Sequence, residues 1–240
     1  CPSNVDMTVL KSEFMHQYHL QKGMTLREKL LQKMDFLNNL ASKTSVLSNQ
    51  IQKTNVFKSI IGVHEKRNLP VYHRFSFRYW ANTFIPDSKN RKETVYFFID
   101  EFSNHYDVDI AIKAVKLLDL LGYTVKFIDH APSGRAQFSK GLLDQASSYA
   151  RQNISIFYPI SAENKIIGIE PSCILSFRDE YPKLFKGEEK KKAEKVAQAC
   201  ITIEEFLYYE IQKGNITAAQ FDDTSRDIWI HGHCHQKALS

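Results

Sequence analysis

The chain has 240 residues, enough for one large or two small domains around a buried core, and its 43% hydrophobic and 25% charged content is ordinary for a globular protein. The net charge of +5 permits an acidic partner without demanding nucleic acid. No apolar run reaches the length of a membrane span and no signal-peptide pattern opens the chain. The four cysteines (Cys1, Cys173, Cys200, Cys234) are too dispersed for a disulfide framework, so the expected setting is the reducing cytoplasm.

Residues 3–60 read as helical. A capping signal over Ser3 to Asp6 precedes Met7, Leu10, Phe14 and Tyr18 at helical spacing. Thr25-Leu26-Arg27-Glu28 is a capping box, and it leads into one apolar stripe of Leu26, Leu30, Met34, Leu37 and Ala41. Residues 63–94 have no clean period. They interleave aromatics (Tyr72, Phe75, Phe77, Tyr79, Trp80, Phe84) with bases (Lys66, Arg67, Arg74, Arg78). Such mixing can serve single-stranded nucleic acid, but no groove-binding motif accompanies it, and an arm whose rings pack on the next domain is the preferred reading.

From Thr94 the pattern turns to alternating strand and helix. Strands are expected at 95–100, 124–128, 166–169 and 227–231. Helices are expected from Asp107, as cap, to Gly122, over 139–154, over 172–177 and over 188–199, with Cys200 on the apolar face of the last. Thr202-Ile203-Glu204-Glu205 is a second capping box, and Gly214 ends its helix. Uniformly apolar strands between helices imply an α/β fold: a parallel sheet flanked by helices, preceded by a mostly helical N-terminal region.

In such sheets ligands bind beyond the carboxyl ends of the strands. That rule selects Asp100 to Asn104, Asp129 to Arg135, Glu170 to Cys173, and His231 to His235, which should converge in space. The turn Pro132-Ser133-Gly134-Arg135 can offer backbone N–H groups and a guanidinium to an anion, or be an ordinary strand-to-helix turn. His231-Gly232-His233-Cys234-His235 sets four ligand-type side chains in five positions, but on a strand the histidines share one face and Cys234 the other. No P-loop, GxGxxG, HExxH or Ser-His-Asp order is present, and no residue is assigned a catalytic role.

At these residues the chain resembles the cysteine-rich CCG domain. That domain occurs in heterodisulfide reductase and in the iron-sulfur proteins of glycolate, glycerol-3-phosphate and lactate oxidation. Its motif is a cysteine, then Cys-Cys-Gly, then Cys-x-x-Cys. Here Asp100 stands at the first cysteine, Pro132-Ser133-Gly134 at Cys-Cys-Gly, and Glu170-Pro171-Ser172-Cys173 at Cys-x-x-Cys. Only Cys173 survives of five cysteines. Degenerate first halves of this kind look like those of FAD-linked oxidases of the D-2-hydroxyglutarate and D-lactate dehydrogenase type. The phrases VDMTVLKSEF, SGRAQFSKGLL, GIEPSCILSFRDEYP and HGHCHQKAL are similar to that family, and Cys1-Pro2 looks like the closing Cys-Pro of a ferredoxin motif.

The resemblance implies three parts: a helical region over 1–62 following a ferredoxin-like motif, a basic aromatic linker over 63–93, and a degenerate CCG-type domain over 94–240, cut at the start of a second CCG unit. It implies a fragment of an FAD- and iron-sulfur-dependent 2-hydroxyacid oxidoreductase, serving as an electron-transfer scaffold. A degenerate cluster cleft would be formed by Asp100, Ser133, Gly134, Arg135 and Glu170. Metal would be held by Cys173 and, in the parent protein only, by Cys1 and Cys234. Expected partners are the FAD domain, the ferredoxin-like clusters and the second CCG unit, with no cofactor on the fragment itself. The alternatives are a protein- or nucleic-acid-interaction module without a redox role, and a zinc enzyme using Asp100, Glu170, Cys173 and the histidine cluster.

Overall fold

The structure, a computed structural model, describes residues 6–87 and 92–239, so Ser3 of the expected capping signal lies outside the described residues. Asp6 caps the first helix, α1 (Met7–Lys22), accepting from the N–H groups of Thr8 at 3.1 Å and Val9 at 3.2 Å. The capping box forms as read. Thr25 N–H meets Glu28 Oε2 at 2.8 Å and Glu28 N–H meets Thr25 Oγ1 at 3.3 Å, opening α2 (Leu26–Gln32). Next come α3 (Met34–Lys43), α4 (Ser45–Lys53) and α5 (Asn55–Ile61).

The expected apolar stripes do not face the core. The helix breaks at Lys33, Leu26 is 76% exposed, and Met7, Leu10, Phe14 and Tyr18 of α1 point outward. The buried side of these helices carries Ser12, His19, Asn38, Ser42 and Ser45. Hydrogen bonds dock the region instead. Ser12 Oγ donates to Phe138 O at 2.7 Å, and Asn38 Oδ1 accepts from Tyr72 at 2.8 Å and Tyr106 at 3.0 Å. Gly141 (φ +69°) permits the close approach of α1, since a Cβ there would stand 2.5 Å from Met15 Cβ.

In the following arm, Ser76 Oγ caps α6 (Phe77–Ala81). Phe77 is fully buried, with ring centres 5.5 Å from Phe97 and 5.8 Å from Phe127, and Trp80 lies 4.9 Å from Phe84. Phe77 belongs to the core and Trp80 and Phe84 pack against it, as the packing-arm reading expects.

The α/β part runs β1 (Thr94–Phe97), α7 (Glu101–His105), α8 (Val108–Leu120), β2 (Thr124–Lys126), α9 (Arg135–Ser139), α10 (Leu143–Phe157), β3 (Lys165–Gly168), α11 (Pro171–Ile174) with a 3₁₀ turn over Leu175–Phe177, α12 (Glu180–Leu184), α13 (Gly187–Ala199), β4 (Cys200–Thr202), α14 (Ile203–Gln212) and α15 (Cys234–Leu239). Among the described residues the sheet has four strands, all parallel, in the order β2-β1-β3-β4. Alternation along β1 sends Val95 and Phe97 into a core shared with α6, α8 and α14. Phe98 goes into a second core with α10, α11 and α13. No helix among the described residues is long and apolar enough to cross a membrane.

Four sequence expectations are corrected. Asp227–His231 is not a strand: Trp229 is 95% exposed, and the edge beside β3 is already occupied by β4. Cys200 is not on a helix but opens β4, though it is buried as expected. The helix expected over 139–154 starts later, as α10 at Leu143, because Gly141 (φ 69°) turns the chain after a separate short helix, α9, that ends at Ser139. Asp107 precedes α8 without a side-chain capping bond.

Candidate functional site at the carboxyl edge of the sheet

The strand order reverses between β1 and β3, and the crevice beyond their carboxyl ends is where open parallel sheets bind ligands. Here that crevice collects Asp100 and Glu101 from the end of β1, Ser133 from the loop after β2, and Glu170 and Cys173 from the end of β3. The sequence therefore brings its motif positions together.

Each element end has a local cause. Asp100 caps α7, its Oδ1 accepting from the N–H groups of Phe102 and Ser103, both at 2.9 Å, and its Oδ2 from Ser103 Oγ at 2.6 Å. Glu170 caps α11, accepting from Ser172 N–H at 3.1 Å, with Pro171 at the first helical position. Gly134 adopts a left-handed conformation (φ 74°) and turns the chain into α9.

Glu101 sits at the centre. Its Oε1 accepts from Ser133 N–H at 2.9 Å and Ser133 Oγ at 2.8 Å, and its Oε2 lies 3.7 Å from Cys173 Sγ. Tyr181 closes the floor, donating to Ser133 O at 2.9 Å, while Asn153 Nδ2 reaches Pro132 O and Tyr181 Oη, each at 3.0 Å. Burial pushes Glu101 up to about 7, helped by the Asp100 charge, and burial pushes Asp100 up to about 6. Burial, then the charges of Glu101 and Asp100, raises the Cys173 thiol well above its ordinary value. His130, within the selected stretch Asp129 to Arg135, is a neutral strut. Its Nε2 accepts from Ile99 N–H at 3.0 Å and its Nδ1 meets Ala131 O at 2.8 Å; burial and Arg78 lower its pKa to about 3.

The anion that the Ser133–Arg135 turn could hold is internal. Ser133 N–H is taken by Glu101, Arg135 N–H by Ser133 Oγ at 3.2 Å, and the Arg135 guanidinium by Glu180.

An iron-sulfur cluster does not fit this cleft. Clusters are held mainly by cysteine thiolates, commonly four. Among the described residues the crevice offers one thiol, Cys173, which is fully buried and protonated. Cys200 is buried at the start of β4, and Cys234 is exposed on α15. Cys1 lies outside the described residues.

The histidine segment comes beside the crevice rather than into it. With no strand over 227–231, the one-face arrangement of the histidines does not arise. Instead α15 packs against α11, and His235 Nε2 lies 3.4 Å from Asp179 Oδ2. Sequence reasoning included Glu101 in the Asp100 to Asn104 stretch without giving it a role, and missed Asp179 and Glu180. An acid immediately after a capping acid beyond a strand end was the available signal for Glu101; the Asp-Glu pair before Tyr181 was the one for α12.

The chain is similar to curated dehydrogenases at low identity. It is 26% identical over 203 residues to D-2-hydroxyglutarate dehydrogenase of Escherichia coli K12, covering 79% of this chain and 20% of that protein. It is 22% identical over 249 residues to that of Pantoea ananatis, covering 98% and 23%. A third relative, one of the subunits of the anaerobic glycerol-3-phosphate dehydrogenase of E. coli K12, is 22% identical over 222 residues, covering 90% and 54%. The chain thus spans about a fifth of the first two relatives and about half of the third. No family model matches it. No solved structure gives a significant match.

Proposed function

We propose that this chain is the scaffold segment of an FAD- and iron-sulfur-dependent oxidoreductase acting on a 2-hydroxy acid, and that its crevice is a CCG-type cluster site converted into a structural joint. The observation that carries the reading is the gathering of Asp100, Ser133, Glu170 and Cys173 around Glu101 at the switch point. The motif positions keep their neighbourhood while carboxyl and hydroxyl oxygens replace sulfur. Similarity to two kinds of dehydrogenase supports the class. In the parent, flavin takes the hydride and clusters pass electrons on. This segment, in the cytoplasm, spaces the ferredoxin-like clusters, to which Cys1 would belong, from a second CCG unit begun by Cys234.

The outward apolar residues of α1 to α5, among them Phe14, Leu26, Phe36 and Val46, suit a face covered by other domains of that parent. The nucleic-acid alternative has no support from the arm, because Phe77 is buried and Trp80 and Phe84 pack against its core. The test is the full-length polypeptide containing this segment. Purified anaerobically, it should contain flavin and iron and reduce a dye with D-2-hydroxyglutarate, D-lactate or glycolate. A full-length protein without flavin, or inert to all 2-hydroxy acids, would overturn the proposal.

A further inference from the structure

The C-terminal helix α15 is tied to the body of the protein at a group of side chains the crevice does not use. Asp179 and Glu180 stand at the start of α12, and His235 stands on α15. One donor atom from each lies within 4.8 Å of the other two. The side chain of Glu180 is 6% exposed and that of His235 10%.

Each carboxylate spends one oxygen on a cation. Lys183 Nζ holds Asp179 Oδ1 and also reaches Asp6 Oδ2 at 2.7 Å; Arg135 holds Glu180 Oε1. The remaining oxygens are turned to other uses. Asp179 Oδ2 faces His235 Nε2 at 3.4 Å, and Glu180 Oε2 is buried with no hydrogen-bond partner among the described residues. A buried carboxylate oxygen without a donor is costly, and natural proteins seldom leave one so. Outer cations that fix a carboxylate while leaving its second oxygen free are also how ligating carboxylates are oriented around metals.

We propose that Asp179, Glu180 and His235 form a binding site for a divalent transition cation, with zinc as its reference ion, which clasps α15 to α12. The donor set is one imidazole nitrogen and two carboxylate oxygens, a combination zinc accepts with water in a fourth position. Ligand atoms across a tetrahedral zinc are about 3.3 Å apart. Asp179 Oδ2 and His235 Nε2, 3.4 Å apart, already stand at that spacing, and Glu180 closes on them by at most about 1.5 Å. The two neighbouring cations are offset by Asp6, Asp179 and Glu180, leaving the pocket net negative. This site meets the degenerate cluster cleft only at Arg135, the partner of Glu180, and does not depend on the proposed function.

The test uses the 240-residue chain, stripped with EDTA, and zinc chloride followed by titration calorimetry. One zinc per chain is expected, with affinity reduced at least tenfold in Glu180→Gln and in His235→Gln. The second variant lies on the terminal helix, away from both cores, and keeps the measurement valid if the first fails to fold. The double variant His231→Ala/Cys234→Ser should bind as the wild type does. Cobalt should give visible d–d bands without a thiolate charge-transfer band. Absence of stoichiometric zinc, binding untouched by His235→Gln, or binding abolished in the His231/Cys234 variant would overturn the site; the last two outcomes would mark zinc held by the exposed tail.

Discussion

At the residue scale, Glu101 decides the character of the crevice. It bridges the end of β1, the loop after β2 and the start of α11 through Ser133 and Cys173, in a space where a free charge is poorly solvated. Its folded-state pKa is raised to about 7 from an ordinary 4.5. Between those values the unfolded chain releases the proton and the folded chain keeps it, so stability falls as pH rises through this window and the loss is complete above about 7. Glu101→Gln cannot ionise. The stability of the wild type relative to this variant should therefore decline from pH 5 to pH 8, on the order of 1–3 kcal/mol, as read from urea melts at each pH. A pH-independent difference would show that Glu101 is ionised throughout. The cysteines divide by the same physics. Iodoacetamide at pH 8 should label Cys234, which is exposed, but not Cys173 or Cys200, which are buried with raised thiol pKa values, until the protein is unfolded. Peptide mapping of native and denatured samples reads this directly, and rapid native labelling of Cys173 would contradict its placement.

At the element scale, the short strands are held by what surrounds their ends. The 3₁₀ turn after α11 sends the Phe177 ring among Phe98, Phe157 and Tyr181, with centres 5.1, 5.9 and 4.4 Å away. Phe177→Ala should cost about 3–5 kcal/mol in chemical denaturation, by lost burial and the cavity left. Arg178 then clamps the far edge, its Nε on Cys200 O at 3.0 Å and its Nη1 on Glu205 Oε1 at 2.8 Å, where the Thr202–Glu205 capping box opens α14. Gly168 lets α11 fold back over β3, because a Cβ there would meet Ile174 Cβ at 2.6 Å. Gly168→Ala should lower stability by about 1–3 kcal/mol, and a neutral effect would show that α11 shifts freely.

The strands at 94–97, 124–126 and 165–168 were legible because short β-branched and aromatic runs alternate there with longer segments of helical period. Cys200–Thr202 was not, since three residues after a long helix carry no period. Ile228-Trp229-Ile230 gave a false strand, because apolar β-formers look alike whether or not a sheet edge is free to receive them. The N-terminal stripes failed for a related reason: helical spacing shows that one face is apolar, not what covers it.

At the scale of the whole molecule, the sheet brings four strand-to-helix junctions to one edge and ties the side chains of Asp100, Glu101, Ser133 and Glu170 there to neighbouring protein groups. Motif spacing made Asp100, Ser133, Glu170 and Cys173 legible as a group, whereas the bridging role of Glu101, inside the selected stretch Asp100 to Asn104, became visible only when α7 placed it between them. The central claim is that this crevice is a joint and not a cluster site. Anaerobic incubation of the 240-residue chain with iron and sulfide, followed by desalting and visible absorption, tests it most directly. The account predicts a colourless protein, with any iron retained being the same in wild type and Cys173→Ala. A stable charge-transfer absorption that disappears in Cys173→Ala would contradict it.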